Sequence, residues 1–144
     1  MSMAATITLS QSGHQALPAE LDPNGEGLEY GFTLPYAADA LDEIAHGLGV
    51  RPLSDFFDDS EMLSEEEYEE AGIAPKQVAW FSSDEGLRTL DALSAEVEKR
   101  GPSATVGSGG RPYPVADVLW DLNASRLILQ RARASGERFK YTIG

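Results

Sequence analysis

The sequence predicts an α+β fold in which a small, mostly antiparallel sheet packs against three or four helices. Apolar and polar side chains alternate near residues 5–9, 28–34 and 138–143, as they do in half-buried strands. The stretches between these segments carry apolar residues at helical spacing and are bounded by capping residues and glycines. At 144 residues and without an internal repeat, the chain is predicted to form a single globular domain, 1–144.

The three predicted strands are short. Segment 5–9 is rich in β-branched residues, which favour a pleated backbone. Segment 28–34 has the clearest period-two pattern of the first half. Its apolar face consists of Leu28, Tyr30, Phe32 and Leu34. In segment 138–143 the corresponding face consists of Phe139, Tyr141 and Ile143.

Three helices are predicted between the second strand and residue 101. The first opens on Pro35, since the first turn of a helix does not need the missing N–H, and glycines follow its last turn near residue 48. The second, 64–72, and the third, 82–101, each begin with a capping box, in which a serine and a glutamate three residues later satisfy free N–H groups. These boxes pair Ser64 with Glu67 and Ser82 with Glu85.

A Gly/Ser/Pro-rich internal loop is predicted at 102–114, and a long helix at 114–135. Apolar residues cover two arcs of this helix and leave a narrow polar stripe that includes Asp121, while a division at Asn123 is left open. A helix that is apolar over most of its circumference lies in the centre of a domain or at a subunit contact. A homodimer through the 114–135 helix is therefore an alternative to a buried central helix.

The acidic residues are concentrated in the first half of the chain. Residues 1–75 contain sixteen Asp/Glu and one base, Arg51, whereas residues 76–144 contain eight acids and ten bases. The net charge of −13 argues against nucleic acid and anionic membranes, which have the same sign. No run approaches the ~18 apolar residues of a membrane span, and the absence of cysteine excludes disulfides and thiolate sites. We expect a cytoplasmic protein.

Residues 55–70 contain nine carboxylates and no base. Such a segment attracts basic surfaces, and aromatic residues set among charges are suited to anchor an interface. We therefore predict a docking surface for a basic protein partner. Its residues are Asp55, Phe56, Phe57, Asp58, Asp59, Glu61, Glu65, Glu66, Glu69 and Glu70. The alternative is structural: acids stabilise the first turn of a helix, and phenylalanines belong to the core.

No metal, cofactor or catalytic site is predicted. The loops that begin at Asp22 and Asp55 lack the ligand pattern of a calcium loop. Glu43 and His46 form only one of the carboxylate–histidine pairs that a di-iron centre requires. The glycine-rich run 107–110 lacks the lysine of a phosphate-binding loop, and no G-x-S-x-G motif occurs.

Three hypotheses from different classes follow. The first is a non-enzymatic binding module that docks on a basic protein. The second is a homo-oligomeric regulatory or structural protein, in which the acidic half of one subunit meets the basic segment 126–140 of another. The third is a hydrolase or metal-dependent enzyme that uses carboxylates of the acidic region. In size, acidity and lack of cysteine, the chain is similar to bacterial immunity and antitoxin proteins, which neutralise basic partners. The similarity covers no motif, so no residue roles follow from it.

Overall fold

A computed structural model describes residues 3–58, 65–72, 79–107 and 112–144. The helices of these residues are α1 (Leu34–Leu48), α2 (Glu65–Ala71), α3 (Ser83–Lys99) and α4 (Val115–Ser135). The strands are β1 (Ala5–Leu9), β2 (Gly13–His14), β3 (Phe57–Asp58), β4 (Phe81–Ser82), β5 (Thr105–Val106), β6 (Tyr113–Pro114) and β7 (Arg138–Ile143). Short 3₁₀ helices lie at Ala19–Leu21 and Leu53–Phe56. The predicted α+β fold is confirmed.

Strand β7 lies at the centre of a five-stranded sheet. On one side it pairs antiparallel with β1, from Ala5 opposite Ile143 to Leu9 opposite Phe139, and β1 pairs in turn with β2. On its other side β7 pairs antiparallel with β4 and parallel with β3. The sheet is thus mostly antiparallel, as predicted, and two of the three predicted strands form its central pair.

Helices α3 and α4 pack against each other and cover one face of this sheet. The alternation of β1 and β7 turns Ile7, Phe139 and Tyr141 toward these helices, where each is fully buried. Gly86 of α3 lies directly over Phe139, and a Cβ at this position would collide with the Phe139 ring. The missing side chain therefore allows α3 to approach the sheet closely.

The predicted strand at 28–34 is wrong, because its backbone N–H groups bind a side chain and not a neighbouring strand. Residues 28–33 are irregular, and α1 begins at Leu34. The buried carboxylate of Asp121, on α4, accepts hydrogen bonds from the Gly31 N–H at 2.6 Å and the Thr33 N–H at 2.9 Å. It also accepts one from the Thr33 hydroxyl at 2.6 Å. Asp121 thus satisfies the backbone at the entrance of α1, as a capping residue would.

Further hydrogen bonds hold this irregular segment in place. The Gly31 carbonyl accepts a hydrogen bond from the Ala5 N–H at 2.9 Å, and the Trp120 indole N–H donates to the Glu29 carbonyl at 2.9 Å. Gly31 has a φ of 93°, and a Cβ there would collide with the Ala5 carbonyl. Only glycine fits at this approach, and its positive φ ends the extended conformation.

The helix ends agree with the predictions wherever the structure describes them. At the start of α3 the Ser82 hydroxyl accepts a hydrogen bond from the Glu85 N–H at 3.1 Å. Pro35 lies in the first turn of α1, and Gly49, with a φ of 71°, ends that helix in the left-handed conformation. Ser64, which is predicted to cap α2, lies outside the described residues.

The predicted internal loop 102–114 is more ordered than its composition suggests. Thr105 pairs with Pro114, and Val106 with Tyr113, in a short antiparallel hairpin. Val106 is fully buried, so it attaches the hairpin to the hydrophobic core. Residues 108–111, which carry most of the glycine-rich run, lie outside the described residues.

Helix α4 runs unbroken past Asn123. Leu122, on its first apolar arc, is fully buried, whereas Leu127, on the second, is only partly covered. The assignment of Asp121 to an exposed polar stripe is wrong, because its hydrogen bonds to the entrance of α1 bury it to 3 % exposure. Among the described residues, neither this helix nor any other is long and apolar enough to cross a membrane.

Candidate functional site

The two aromatic residues of the predicted docking surface belong to the interior. Phe56 is 1 % exposed, and its ring centre lies 5.1 Å from that of Phe81 and 5.2 Å from that of Phe139. Phe57, in β3, is partly buried and packs edge-on against Tyr141 at 5.6 Å. Phe56 is therefore part of the hydrophobic core and is not exposed to a partner.

Asp58 is also withdrawn from the predicted surface. Its carboxylate accepts a hydrogen bond from the Lys140 ammonium group at 2.7 Å, and the two residues are 4 % and 8 % exposed. The Trp80 ring lies 5.1 Å from the same ammonium nitrogen, a distance suited to a cation–π interaction. This pair joins β3 to β7, and removal of either charge would leave the other buried without it.

Asp55 remains at the surface, but its charge is partly balanced. It forms an ion pair of 3.2 Å with Arg51, and Arg51 also lies 2.8 Å from Glu85. Because these side chains are more than a third exposed, the pairs contribute little to stability. They nevertheless reduce the field that Asp55 presents to a partner.

The acids of α2 are the part of the predicted surface that fits docking best. Glu66, Glu69 and Glu70 are exposed, and none of them forms an ion pair within the described residues. Asp59 and Glu61 lie outside the described residues, as does the side chain of Glu65.

Helix α1 carries a second group of exposed acids that the sequence analysis did not assign to docking. Asp39 and Glu43 lie one turn apart and border a shallow depression with Asp42 and His46. Asp42 accepts a hydrogen bond from the Ser54 N–H at 3.1 Å, so it stabilises the following 3₁₀ helix. The helical spacing of these residues, opposite the apolar face of α1, is the signal by which the sequence could have identified them.

The acids do not form a metal centre in the described part of the chain. The Asp22 carboxylate accepts hydrogen bonds from the N–H groups of Glu26, Gly27 and Leu28 at 2.9 to 3.3 Å. It therefore closes a turn. Among the described residues, no group of three or more His, Asp or Glu side chains is arranged to hold a metal ion.

Two tyrosines have strongly shifted pKa values, and both belong to the interior. Burial raises the pKa of Tyr30 to about 12, and the negative charge of Asp121 adds to the increase. The hydrogen bond from the Ile7 N–H acts in the opposite direction and lowers the pKa. The Tyr30 hydroxyl accepts that bond at 3.0 Å and donates to the Gln15 carbonyl at 2.7 Å. Burial also raises the pKa of Tyr141. A catalytic group has to be reached by its substrate, and both residues are at most 3 % exposed, so we assign both to structure.

Glu137 is a further shifted group with a structural role. Desolvation acts to raise the pKa of Glu137, but hydrogen bonds from Ser12, Gln11 and Ser135 outweigh it and lower the pKa below its ordinary value. The Gln11 and Ser12 N–H groups donate to one carboxylate oxygen at 2.9 and 2.7 Å. Glu137 therefore fastens the β1–β2 turn to the end of α4.

An apolar groove is the feature that the sequence analysis missed. One wall comes from residues 14–17 and the other from residues 28–32, and Thr6 and Thr142 of the sheet also line it. Its volume is about 460 Å³. Leu28 and Phe32 border it and are 44 % and 41 % exposed. Their period-two spacing is visible in the sequence, where it predicts one face of a strand.

No protein-family model, curated protein or solved structure matches this chain. A function is therefore inferred from the charge and the surface of the molecule itself.

Proposed function

We propose that this protein is a non-enzymatic, cytoplasmic binding module that docks on a basic protein through its acidic surface, as inhibitor and immunity proteins do. The observation that carries the proposal is a set of exposed carboxylates with no ion pair among the described residues. These are Asp39 and Glu43 on α1 and Glu66, Glu69 and Glu70 on α2.

The basic residues present a contrast to these carboxylates. Six of them form ion pairs with acids of the same chain. They are Arg51, Lys99, Arg126, Arg131, Arg133 and Lys140. Five of the eight described bases of the second half are thus paired within the molecule, whereas these acids of α1 and α2 form no ion pair among the described residues. A surface of this kind accelerates association with positively charged proteins and disfavours acidic ones.

The two alternatives have less support. A homodimer through α4 would use the second apolar arc of this helix. The Trp120 indole N–H on that arc already binds the Glu29 carbonyl of the same chain, and Leu127 on the same arc is half-buried within the chain. An enzyme would need convergent reactive groups in a cleft, and the shifted groups described above serve structural roles. No observation in the described residues favours either alternative over docking.

The test compares two variants that change the net charge equally. Glu66→Gln with Glu70→Gln alters α2, and Glu96→Gln with Glu98→Gln alters α3 as the control. The control also loses the exposed 3.8 Å pair between Glu96 and Lys99, which contributes little to stability. Wild type and both variants are immobilised and exposed to lysate of the native host at low and at high salt. We expect wild type and the α3 variant to retain a basic protein at low salt and to release it at high salt, and the α2 variant to retain less.

The rate constants provide the sharper measurement. With the retained protein purified, surface plasmon resonance of the α2 variant should show a slower association and a nearly unchanged dissociation, because exposed charges act mainly on the encounter. If the α2 and α3 variants associate at the same rate, the effect depends only on net charge, and the assignment of the docking surface to α2 is refuted. Retention of an acidic protein, or of none, would refute the proposed function.

A further inference from the structure

The apolar groove lies on the face of the sheet that α3 and α4 leave uncovered. Thr6 and Thr142, which line it, alternate with the buried Ile7 and Tyr141 and so point to the opposite side of the sheet. Single exposed apolar residues are common on proteins. Here, however, Leu28 and Phe32 border one cavity of about 460 Å³, which is within the range of ligand-binding pockets.

The backbone between these two side chains is held before any partner binds. The Glu29 carbonyl is bound by Trp120, and the Gly31 N–H by the Asp121 carboxylate. The segment is therefore irregular in secondary structure but fixed in position. A partner that contacts Leu28 or Phe32 does not have to order this backbone, and a preorganised surface of this kind gains affinity.

The charge around the groove determines what can occupy it. Among the described residues, no lysine or arginine lines the groove, and the carboxylate of Asp22 lies beside it, 3.3 Å from the N–H of Leu28. Glu29 lines the groove directly, and His14 is its one basic side chain. Lys140, on the same face of the sheet, is paired with Asp58 at 2.7 Å. The groove therefore favours an apolar group that is accompanied by positive charge.

We propose that this groove binds a bulky apolar side chain that a basic segment of the partner protein presents. The inference rests on the proposed function, because both require a basic partner, and it adds the apolar anchor that the acidic surface lacks. Interfaces concentrate their energy in a few desolvated apolar residues, whereas the surrounding charges govern encounter and selection. Leu28 and Phe32 thus take the anchoring role that the sequence analysis assigned to Phe56 and Phe57.

Three fluorescein-labelled peptides of equal length serve as probes. The first has lysines around a leucine–phenylalanine pair, the second has lysines around two alanines, and the third has glutamates around the leucine–phenylalanine pair. Fluorescence anisotropy measures their affinity for the wild-type protein. The first peptide should bind at least about tenfold more tightly than the second, the ratio expected for burial of one large apolar side chain. The third should bind weakest.

The structure offers a matched control for the groove. Leu28 and Leu48 are both 44 % exposed, but Leu48 lies at the end of α1 and does not line the groove. Leu28→Ser should remove about tenfold in affinity for the first peptide and leave the second unchanged, whereas Leu48→Ser should change neither. Phe32→Ser is a second groove variant, and circular dichroism checks the fold of each.

The α2 variant of the preceding section separates the two proposals. It should weaken both lysine peptides by the same factor, because it removes charge and leaves the groove intact. If both lysine peptides bind equally and both weaken in the α2 variant, the groove inference is refuted while the proposed function stands. If neither binds at low salt, both are refuted.

Two further results would overturn the identity of the occupant. Binding of the glutamate peptide as tightly as the first peptide would show that the groove does not select positive charge. A wild-type dimer in sedimentation that Leu28→Ser dissociates would show that a second copy of this chain covers the groove. A monomeric wild type that discriminates among the three peptides supports the inference.

Discussion

Removal of the Asp121 carboxylate tests how the entrance of α1 is held. The carboxylate accepts hydrogen bonds from the N–H groups of Gly31 and Thr33 and from the Thr33 hydroxyl, at 2.6, 2.9 and 2.6 Å. Asp121→Asn preserves the shape of the side chain but presents an NH₂ group where one oxygen now accepts. Asp121→Ala removes both acceptors, and both N–H groups are buried with their residues.

The expected loss follows from the number of donors left without a partner. A buried polar group that loses its partner costs ~1–3 kcal/mol. Asp121→Ala leaves two backbone N–H groups, so we expect a loss of ~2–6 kcal/mol in the free energy of unfolding. Asp121→Asn leaves at least one and should lose ~1–3 kcal/mol. Since domains of this size are stable by ~5–15 kcal/mol, the alanine variant should lose a large part of the total.

Urea unfolding followed by circular dichroism measures both losses. A lower midpoint with an unchanged m-value would identify a change in stability and not in the unfolded state. Asp117→Asn is the control, because Asp117 is an exposed acid in the first turn of the same helix and should cost no more than ~0.3–1 kcal/mol. An Asp121→Asn variant as stable as this control would refute the assignment of Asp121 as the cap of α1.

Three further predictions concern the ion pair, alkaline pH and α4. Asp58→Asn should lower the free energy of unfolding by ~3–5 kcal/mol, because it leaves the Lys140 charge buried without its carboxylate. Addition of Lys140→Met should restore much of this stability in urea unfolding. A single variant as stable as wild type would contradict a structural role of the pair. Burial raises the pKa of Tyr30 from 10.0 to about 12, so the folded state holds the phenol proton more tightly than the unfolded state. The stability that this proton contributes is complete below pH ~10 and is lost as the pH rises toward ~12. Tyr30→Phe should therefore reduce the alkaline loss of stability in unfolding curves measured across that range. Leu122→Ala should lower the free energy of unfolding by ~2–5 kcal/mol, and Leu127→Ala by less, because Leu127 is only partly buried. A dimeric wild type with a folded, monomeric Leu127→Ala variant in sedimentation would establish the α4 homodimer instead.

Periodicity and caps were sufficient for most of the fold. Strands β1 and β7 and helices α1, α3 and α4 all follow from spacing within their own segments, because side-chain direction repeats with the local backbone geometry. The glycine at position 49 and the capping serine at position 82 act within a few residues of themselves. Such features are determined locally, so the sequence predicts them without knowledge of the tertiary structure.

The segment 28–34 shows where local patterns are insufficient. Its alternation is as regular as that of a strand, yet the N–H groups of Gly31 and Thr33 bind Asp121, about ninety residues further along the chain. A backbone can satisfy its hydrogen bonds with a strand or with a side chain, and only the tertiary structure decides which partner is present. The exposure of Leu28 and Phe32, and with it the apolar groove, follows from that choice.

For the candidate site, the sequence by itself determined the amount and the position of the charge. It placed nine carboxylates in 55–70 and left the first half with a single base. The tertiary structure decided which of these acids are available to a partner. Asp58 is paired with Lys140, 82 residues away, and Asp55 is paired with Arg51. The acids of α2 are exposed, namely Glu66, Glu69 and Glu70 among the described side chains. Net charge is a sum over the residues and needs no coordinates, but burial and pairing depend on which distant residues the fold brings into contact.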